Sequence, residues 1–211
     1  MKNPNAKQKL QIVSRPAGTI VGLLILLSYL LLPVTSTAGG PMEQVRATVD
    51  RVLAIVRNPN AKSKVQVDAQ RAKLVEVISP RFDFSEMAKR SLGRHWAART
   101  SAEQREFVKV FATLMGRSYA DNIESYTTQN VLYIRESEDQ NYAQVDTKIL
   151  AENGSPLSIN YKLHSVDSEW KIYDLVIENI SMVNNYRSQF DRIIARSSFT
   201  DLVQTMKDKQ S

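Results

Sequence analysis

Apolar residues recur at helical spacing in two blocks of the chain and alternate in a third block between them. After Gly39-Gly40-Pro41, the positions Val45, Val49, Val52, Leu53 and Val56 predict a helix that Asn58-Pro59-Asn60 ends. A second helix is expected over Lys64 to Ile78, on a narrow stripe of Ala72, Val75 and Ile78, with Ser79-Pro80 as its stop. Asp83-Phe84-Ser85-Glu86 has the spacing of a capping box, although Ser or Thr is the usual first residue, and opens a helix that runs to about Gly93. Thr100-Ser101-Ala102-Glu103 is a full box and opens the longest helix. Phe107, Phe111, Leu114, Met115 and Tyr119 lie on or beside one of its faces. The plain reading of that stripe is ordinary core.

From about Asn130 the period shortens to two. Val131 to Arg135, Tyr142 to Leu150, Leu157 to Leu163 and Trp170 to Ile177 predict four strands. Glu138-Asp139-Gln140-Asn141, Asn153-Gly154 and Asp167-Ser168 join them, and connections this short make an antiparallel meander. The third strand alternates most cleanly, with Leu157, Ile159, Tyr161 and Leu163 on one face and Ser158, Asn160, Lys162 and His164 on the other. One face must therefore be covered. Helices on either side can do this, because helical spacing returns in Met182, Val183, Tyr186, Phe190, Ile193 and Ile194, then in Phe199, Leu202, Val203 and Met206. The expected fold class is α+β, a four-stranded antiparallel sheet packed against several helices.

The N-terminal segment has a different character. Lys2, Lys7, Lys9 and Arg15 precede an apolar run from Ile20 to Leu32, which is shorter than the roughly 20 residues that span a bilayer. Pro33 and then Ser36-Thr37-Ala38 follow, with small residues where a signal peptidase reads. The expectation is a signal peptide over 1–38, cleaved after Ala38, and a single domain over 39–211; a one-helix membrane anchor is the weaker alternative. The chain has no Cys, which excludes a lipid-bearing N-terminal Cys, disulfides and thiolate chemistry, and the leader has no paired Arg for twin-arginine export. The leader holds four of the 28 basic residues and none of the 22 acidic ones, so most of the net charge of +6 leaves with it. Nucleic acid thereby loses its main electrostatic argument.

Catalytic signatures are sparse. His95 and His164 are the only histidines, far apart and without a third ligand at metal spacing, so no metal site is expected and both are read as partly exposed polar residues. There is no phosphate-binding Gly loop and no G-x-S-x-G. Asp174 and Glu178 fall on one strand face or its extension, where a carboxylate inside a cavity could act as a general base. Surface carboxylates are far commoner than buried ones.

Several blocks then match together: Ser79-Pro80-Arg81-Phe82-Asp83-Phe84, Leu92-Gly93-Arg94-His95-Trp96, and the spacing of Thr100, Gln104-Arg105, Phe107 and Phe111. The most specific is Trp170-Lys171-Ile172-Tyr173-Asp174 with Ile177-Glu178, Ser181, Val183-Asn184-Asn185-Tyr186-Arg187 and Gln189-Phe190. In these blocks the chain resembles the MlaC family, also called toluene-tolerance auxiliary proteins, from about Val45 to Met206. Asn179 stands where Gly is expected and His95 where an aromatic residue is usual.

The resemblance implies a periplasmic phospholipid carrier that shuttles lipid between an outer-membrane lipoprotein complex and an inner-membrane ABC transporter with its lipid-binding subunit, maintaining outer-membrane lipid asymmetry. It also implies a twisted sheet against helices, with an NTF2-like cavity between them for acyl chains. The carrier would be a non-enzymatic monomer with no cofactor, holding phospholipid as cargo. Candidate tail contacts are Phe107, Phe111, Leu114 and Met115 from the long helix, with Val145, Thr147, Ile149, Ile159, Tyr161, Leu163 and Ile172 from the sheet. Two other classes remain open: an NTF2-like enzyme with Asp174 as general base, and a structural envelope protein with a filled core.

Overall fold

The structure, a computed structural model, describes residues 39–57, 63–124, 130–150 and 155–209, with 117–124 described by backbone alone. The expected signal peptide, the breaker Asn58-Pro59-Asn60, the side chain of Tyr119 and the turn at Asn153-Gly154 lie outside the described residues. The described helices are α1 (Pro41–Val56), α2 (Lys64–Ile78), α3 (Phe84–Leu92), α4 (Ser101–Glu124), α5 (Met182–Arg196) and α6 (Phe199–Asp208). Short 3-10 turns, Ser79–Arg81 and Gly93–Ala98, flank α3. No described helix is long and apolar enough to cross a membrane.

The helix starts follow from side chains that satisfy the free N–H groups of the first turn. Thr100 and Glu103 close the expected box, with Thr100 Oγ1 accepting from the Glu103 N–H at 3.3 Å and Glu103 Oε2 accepting from the Thr100 N–H at 2.7 Å. At α3 the box is half closed. Asp83 accepts from the Glu86 N–H at 2.9 Å, but the Glu86 carboxylate turns to Arg90 at 2.7 Å and never reaches back. Helix α3 stops at Gly93, whose φ of +57° suits glycine, with Arg187 3.4 Å from where a Cβ would stand.

The sheet runs β1 (Asn130–Asp139), β2 (Tyr142–Leu150), β3 (Leu157–Val166), β4 (Glu169–Ile177) and β5 (Ile180–Ser181), antiparallel and in sequence order. Among the described residues it has five strands, not the four expected. The fifth is two residues long, too short for alternation to register, and it passes directly into α5. Asp167 and Ser168 turn with φ of +49° and +66°, and Glu178 and Asn179 with +47° and +64°, the sign pattern of a type I′ hairpin. Asn179 thus supplies the positive φ expected of a glycine at that place. Two bulges interrupt the ladder, one between Tyr133 and Arg135 in β1 and one opposite Lys162/Leu163 in β4.

Apolar side chains gather in two cores. The helical core unites α3, α4, α5 and α6 through Met87, Leu92, Phe107, Phe111, Phe190, Leu202 and their neighbours. Phe107 lies at its centre, with ring centroids 6.1 Å from Phe111, 5.7 Å from Phe190 and 5.9 Å from Phe199. The second core seals α1 onto the sheet, joining Val45 to Ala143, Val145, Leu163 and Ile172. Among the described residues, only Phe82 and Leu175 pack against both. Arg81 reinforces the α1 seal, since its guanidinium donates to Gln44 at 2.5 Å, to the Trp170 carbonyl at 2.7 Å and to Thr48 at 3.3 Å.

Candidate functional site

Strand register resolves the apolar face of the sheet into cross-strand rows. Ala143, Leu163 and Ile172 make the first row, and Val145, Tyr161 and Leu175 the second. Tyr133, Thr147, Ile159 and Ile177 make the third, and Val131, Ile149 and Leu157 the fourth. The first two rows lie within the core that α1 covers, where Val145 and Leu163 are each 0% exposed. Beyond them the cover thins among the described residues. Ile149, Leu157 and Ile159 are half-buried and belong to neither core. This stretch, continued by Val131, lies outside the packing that fills the rows beside it among the described residues, whereas Ile177, at the end of the third row, packs against the helical core.

The structure separates the eleven predicted contact residues into groups. Phe107, Phe111, Leu114 and Met115 lie in the helical core. Val145, Leu163 and Ile172 lie in the α1-covered core, with Tyr161 packed at its margin. Ile149 and Ile159 stand in the half-buried rows, and Thr147, in the same row as Ile159, is itself buried, its hydroxyl donating to the Ile159 carbonyl at 2.9 Å. The polar side of β3 is itself half-buried, so the contrast between its two faces is weaker than alternation alone suggests. Two open surface depressions, one lined by Gln189, Arg192, Ile193 and Arg196 and one by Ser85, Trp96, Ser101, Gln104, Arg105 and Val108, include none of the eleven.

Val131, Tyr133, Leu175 and Ile177 share the apolar face but escaped the sequence reading. For Val131 and Tyr133 the signal was present, as both alternate with β1. For Leu175 and Ile177 it was hidden, because the bulge inserts one residue and breaks the period of two after Ile172. Burial sets the state of the two phenols on this face. It pushes the Tyr161 hydroxyl up to about 12, only partly offset by a hydrogen bond with Thr147, and it also raises Tyr133. Both remain protonated donors at neutral pH.

The bulge also decides what Asp174 does. It sets Asp174 opposite Lys162 on the other face of the sheet, where its oxygens accept from the Ser181 hydroxyl at 2.6 Å and the Val183 N–H at 3.1 Å. Asp174 therefore secures the N-terminus of α5, where a negative charge meets the positive end of the helix dipole. Glu178 is not its partner on a strand face, for it lies in the turn and accepts from the Ser158 N–H at 2.5 Å. The two histidines are likewise tied down. His164 Nε2 lies 3.0 Å from Asp83, and His95 Nε2 lies 2.8 Å from Asp191. The hydrogen bond with His95, then Arg94, holds the Asp191 carboxyl below the ordinary range. His95 in place of an aromatic residue thus pins the 3-10 turn to α5 through a polar contact. No group of three or more metal-ligating side chains occurs among the described residues.

The sequence is 24% identical over 193 residues to the "Intermembrane phospholipid transport system binding protein MlaC" of Haemophilus influenzae, covering 89% of this chain and 90% of that one. It is 24% identical over 187 residues to the "Toluene tolerance protein ttg2D" of Pseudomonas putida, covering 88% and 86%. The fold matches the phospholipid-binding protein from Ralstonia solanacearum, solved in complex with a phospholipid, with a TM-score of 0.70 and 26% identity over 82% of this chain and 97% of that one. The sequence model described as "MlaC protein" matches residues 46–208, and the chain belongs to the MlaC family.

Proposed function

We propose that the chain is a periplasmic phospholipid carrier, exported by a signal cleaved after Ala38, that takes lipid from one membrane-bound complex and yields it to another. The observation that carries this reading is the open half of the sheet face, where Ile149, Leu157 and Ile159 remain half-buried outside both cores. A surface of this kind suits hydrocarbon. Two C16 tails carry about 30 methylenes, and at roughly 0.8 kcal/mol each their exposure to water would cost on the order of 25 kcal/mol. A carrier must enclose most of that surface while leaving the charged headgroup near solvent.

Binding is reversible and non-covalent, and the protein works as a monomer without a cofactor. The direction of transfer is set by the relative affinities of its partners, an outer-membrane lipoprotein complex and an inner-membrane ABC transporter with its lipid-binding subunit. An enzymatic reading finds little support in Asp174, because both of its oxygens are engaged at α5. Organic extraction of protein never exposed to detergent tests the proposal. Phospholipid in near-stoichiometric amount is the expected result, and its absence from repeated preparations would leave a filled-core envelope protein as the better description.

A further inference from the structure

One polar atom on the apolar face has no partner. The Tyr133 hydroxyl is buried and makes no hydrogen bond in the structure, although burying an unpaired hydroxyl is costly and uncommon. Its neighbour Tyr161 is not among the described buried side chains left without a partner. Tyr133 occupies the β1 end of the third row, beside Thr147 and Ile159, where the α1-covered part of the face gives way to the open part. Its ring packs against the α1-sheet core, and the exposed Arg46 guanidinium lies 4.2 Å above the ring centroid. A fixed donor, an apolar stretch on one side and a solvent-exposed cation on the other form one sequence across the face.

We propose that the Tyr133 hydroxyl donates a hydrogen bond to an acyl-ester carbonyl of the bound lipid, with the lipid phosphate towards Arg46 and the tails along Ile149, Leu157 and Ile159. This rests on the carrier reading and adds a point of chemical recognition to it. A neutral carbonyl is the acceptor that suits the buried hydroxyl, since it satisfies the donor without bringing a full charge out of water. The phosphate stays at the solvent-exposed rim, where a guanidinium pairs well with it. The contact also fixes how deeply the lipid sits, because hydrocarbon alone could slide along an apolar face. The predicted specificity is for ester-linked over ether-linked chains, as an ether keeps the tails and headgroup but lacks the carbonyl.

The test measures displacement of one fluorescent lipid from the exported protein by a diacyl phosphatidylglycerol and by its dialkyl ether of equal chain length. The wild type should prefer the ester by about tenfold, the scale of one buried hydrogen bond. Tyr133→Phe keeps the ring and should lose that preference, binding the ether as before and keeping its thermal midpoint. Tyr161→Phe should retain the preference, because the ester carbonyl is assigned to Tyr133 alone. An ester preference that survives in Tyr133→Phe overturns the assignment. So does a wild type that binds both lipids equally, a result that does not depend on any variant folding. A wild type that binds neither lipid brings down the carrier reading itself, a distinct failure.

Discussion

The two halves of the sheet's apolar face are built from nearly the same residue types and meet different fates. Ala143, Val145, Leu163 and Ile172 are sealed by Val45 of α1, whereas Ile149, Leu157 and Ile159 continue the same strands half-buried and outside either core. Alternation decides which face of a strand is apolar. What covers that face is decided elsewhere, by where a helix is anchored. Here the anchor is the Arg81 network, which fixes α1 over one end of the sheet. The same apolar pattern is therefore sealed in one half and left half-buried in the other.

The largest effect should come from placing a charge in each half. Leu163→Glu buries a carboxylate at a position that is 0% exposed, a penalty of several kcal/mol against a total stability of roughly 5 to 15, and the protein should largely unfold. Ile159→Glu should stay folded and lose its lipid, because water can reach the half-buried carboxylate. Lys162→Glu, on the opposite face of the same strand, should keep both fold and cargo. Thermal unfolding and lipid content measured on the same samples decide the matter. If both apolar substitutions unfold the protein alike, the distinction between the halves is gone.

A smaller, pH-dependent effect distinguishes the covered half. Tyr161 holds its proton up to about pH 12 in the folded chain but loses it near pH 10 once unfolded. Between those values the unfolded state binds fewer protons, so stability is intact below pH 10 and falls as pH rises towards 12. The loss should reach about 2 to 3 kcal/mol. Denaturant midpoints between pH 9 and 11.5 should decline more gently in Tyr161→Phe than in the wild type. An identical decline would mean that this phenol is not held in a dry environment.

Smaller still is the expected cost of Asp174→Asn, on the other face of the sheet. Replacing the carboxylate weakens charge-assisted contacts at α5, at about 1 to 2 kcal/mol by chemical denaturation, and should leave lipid exchange unchanged. Retained stability with a lost turnover on some defined substrate would restore Asp174 as a general base.

Local signals carried much of the fold in the sequence. The capping residues Asp83 and Thr100, the breaker at Ser79-Pro80 and the turn pair Asp167-Ser168 all mark element ends that the structure contains. Each acts within a few residues of its own position. The β4 bulge, by contrast, is a property of two paired strands. Without it Leu175 and Ile177 cannot be assigned to the apolar face, nor Asp174 to the α5 terminus. Helical spacing could likewise show that Phe107 and Phe111 share a face but not that this face meets Phe190 and Phe199. Tyr133 was accessible as a strand position only, since the missing partner of its hydroxyl depends on everything packed around it.

Phe82 and Leu175, the only described side chains shared by both cores, have a consequence for cooperativity. So few apolar side chains are shared between the two cores that a local opening which parts them exposes less buried apolar surface than one that breaks into either. The least costly excursion from the folded state then runs along their seam. It separates sheet from helices while leaving the aromatic cluster of one and the α1 seal of the other intact. On the carrier reading, an opening of this kind would widen the way to the half-buried rows for long hydrocarbon chains without unfolding either core.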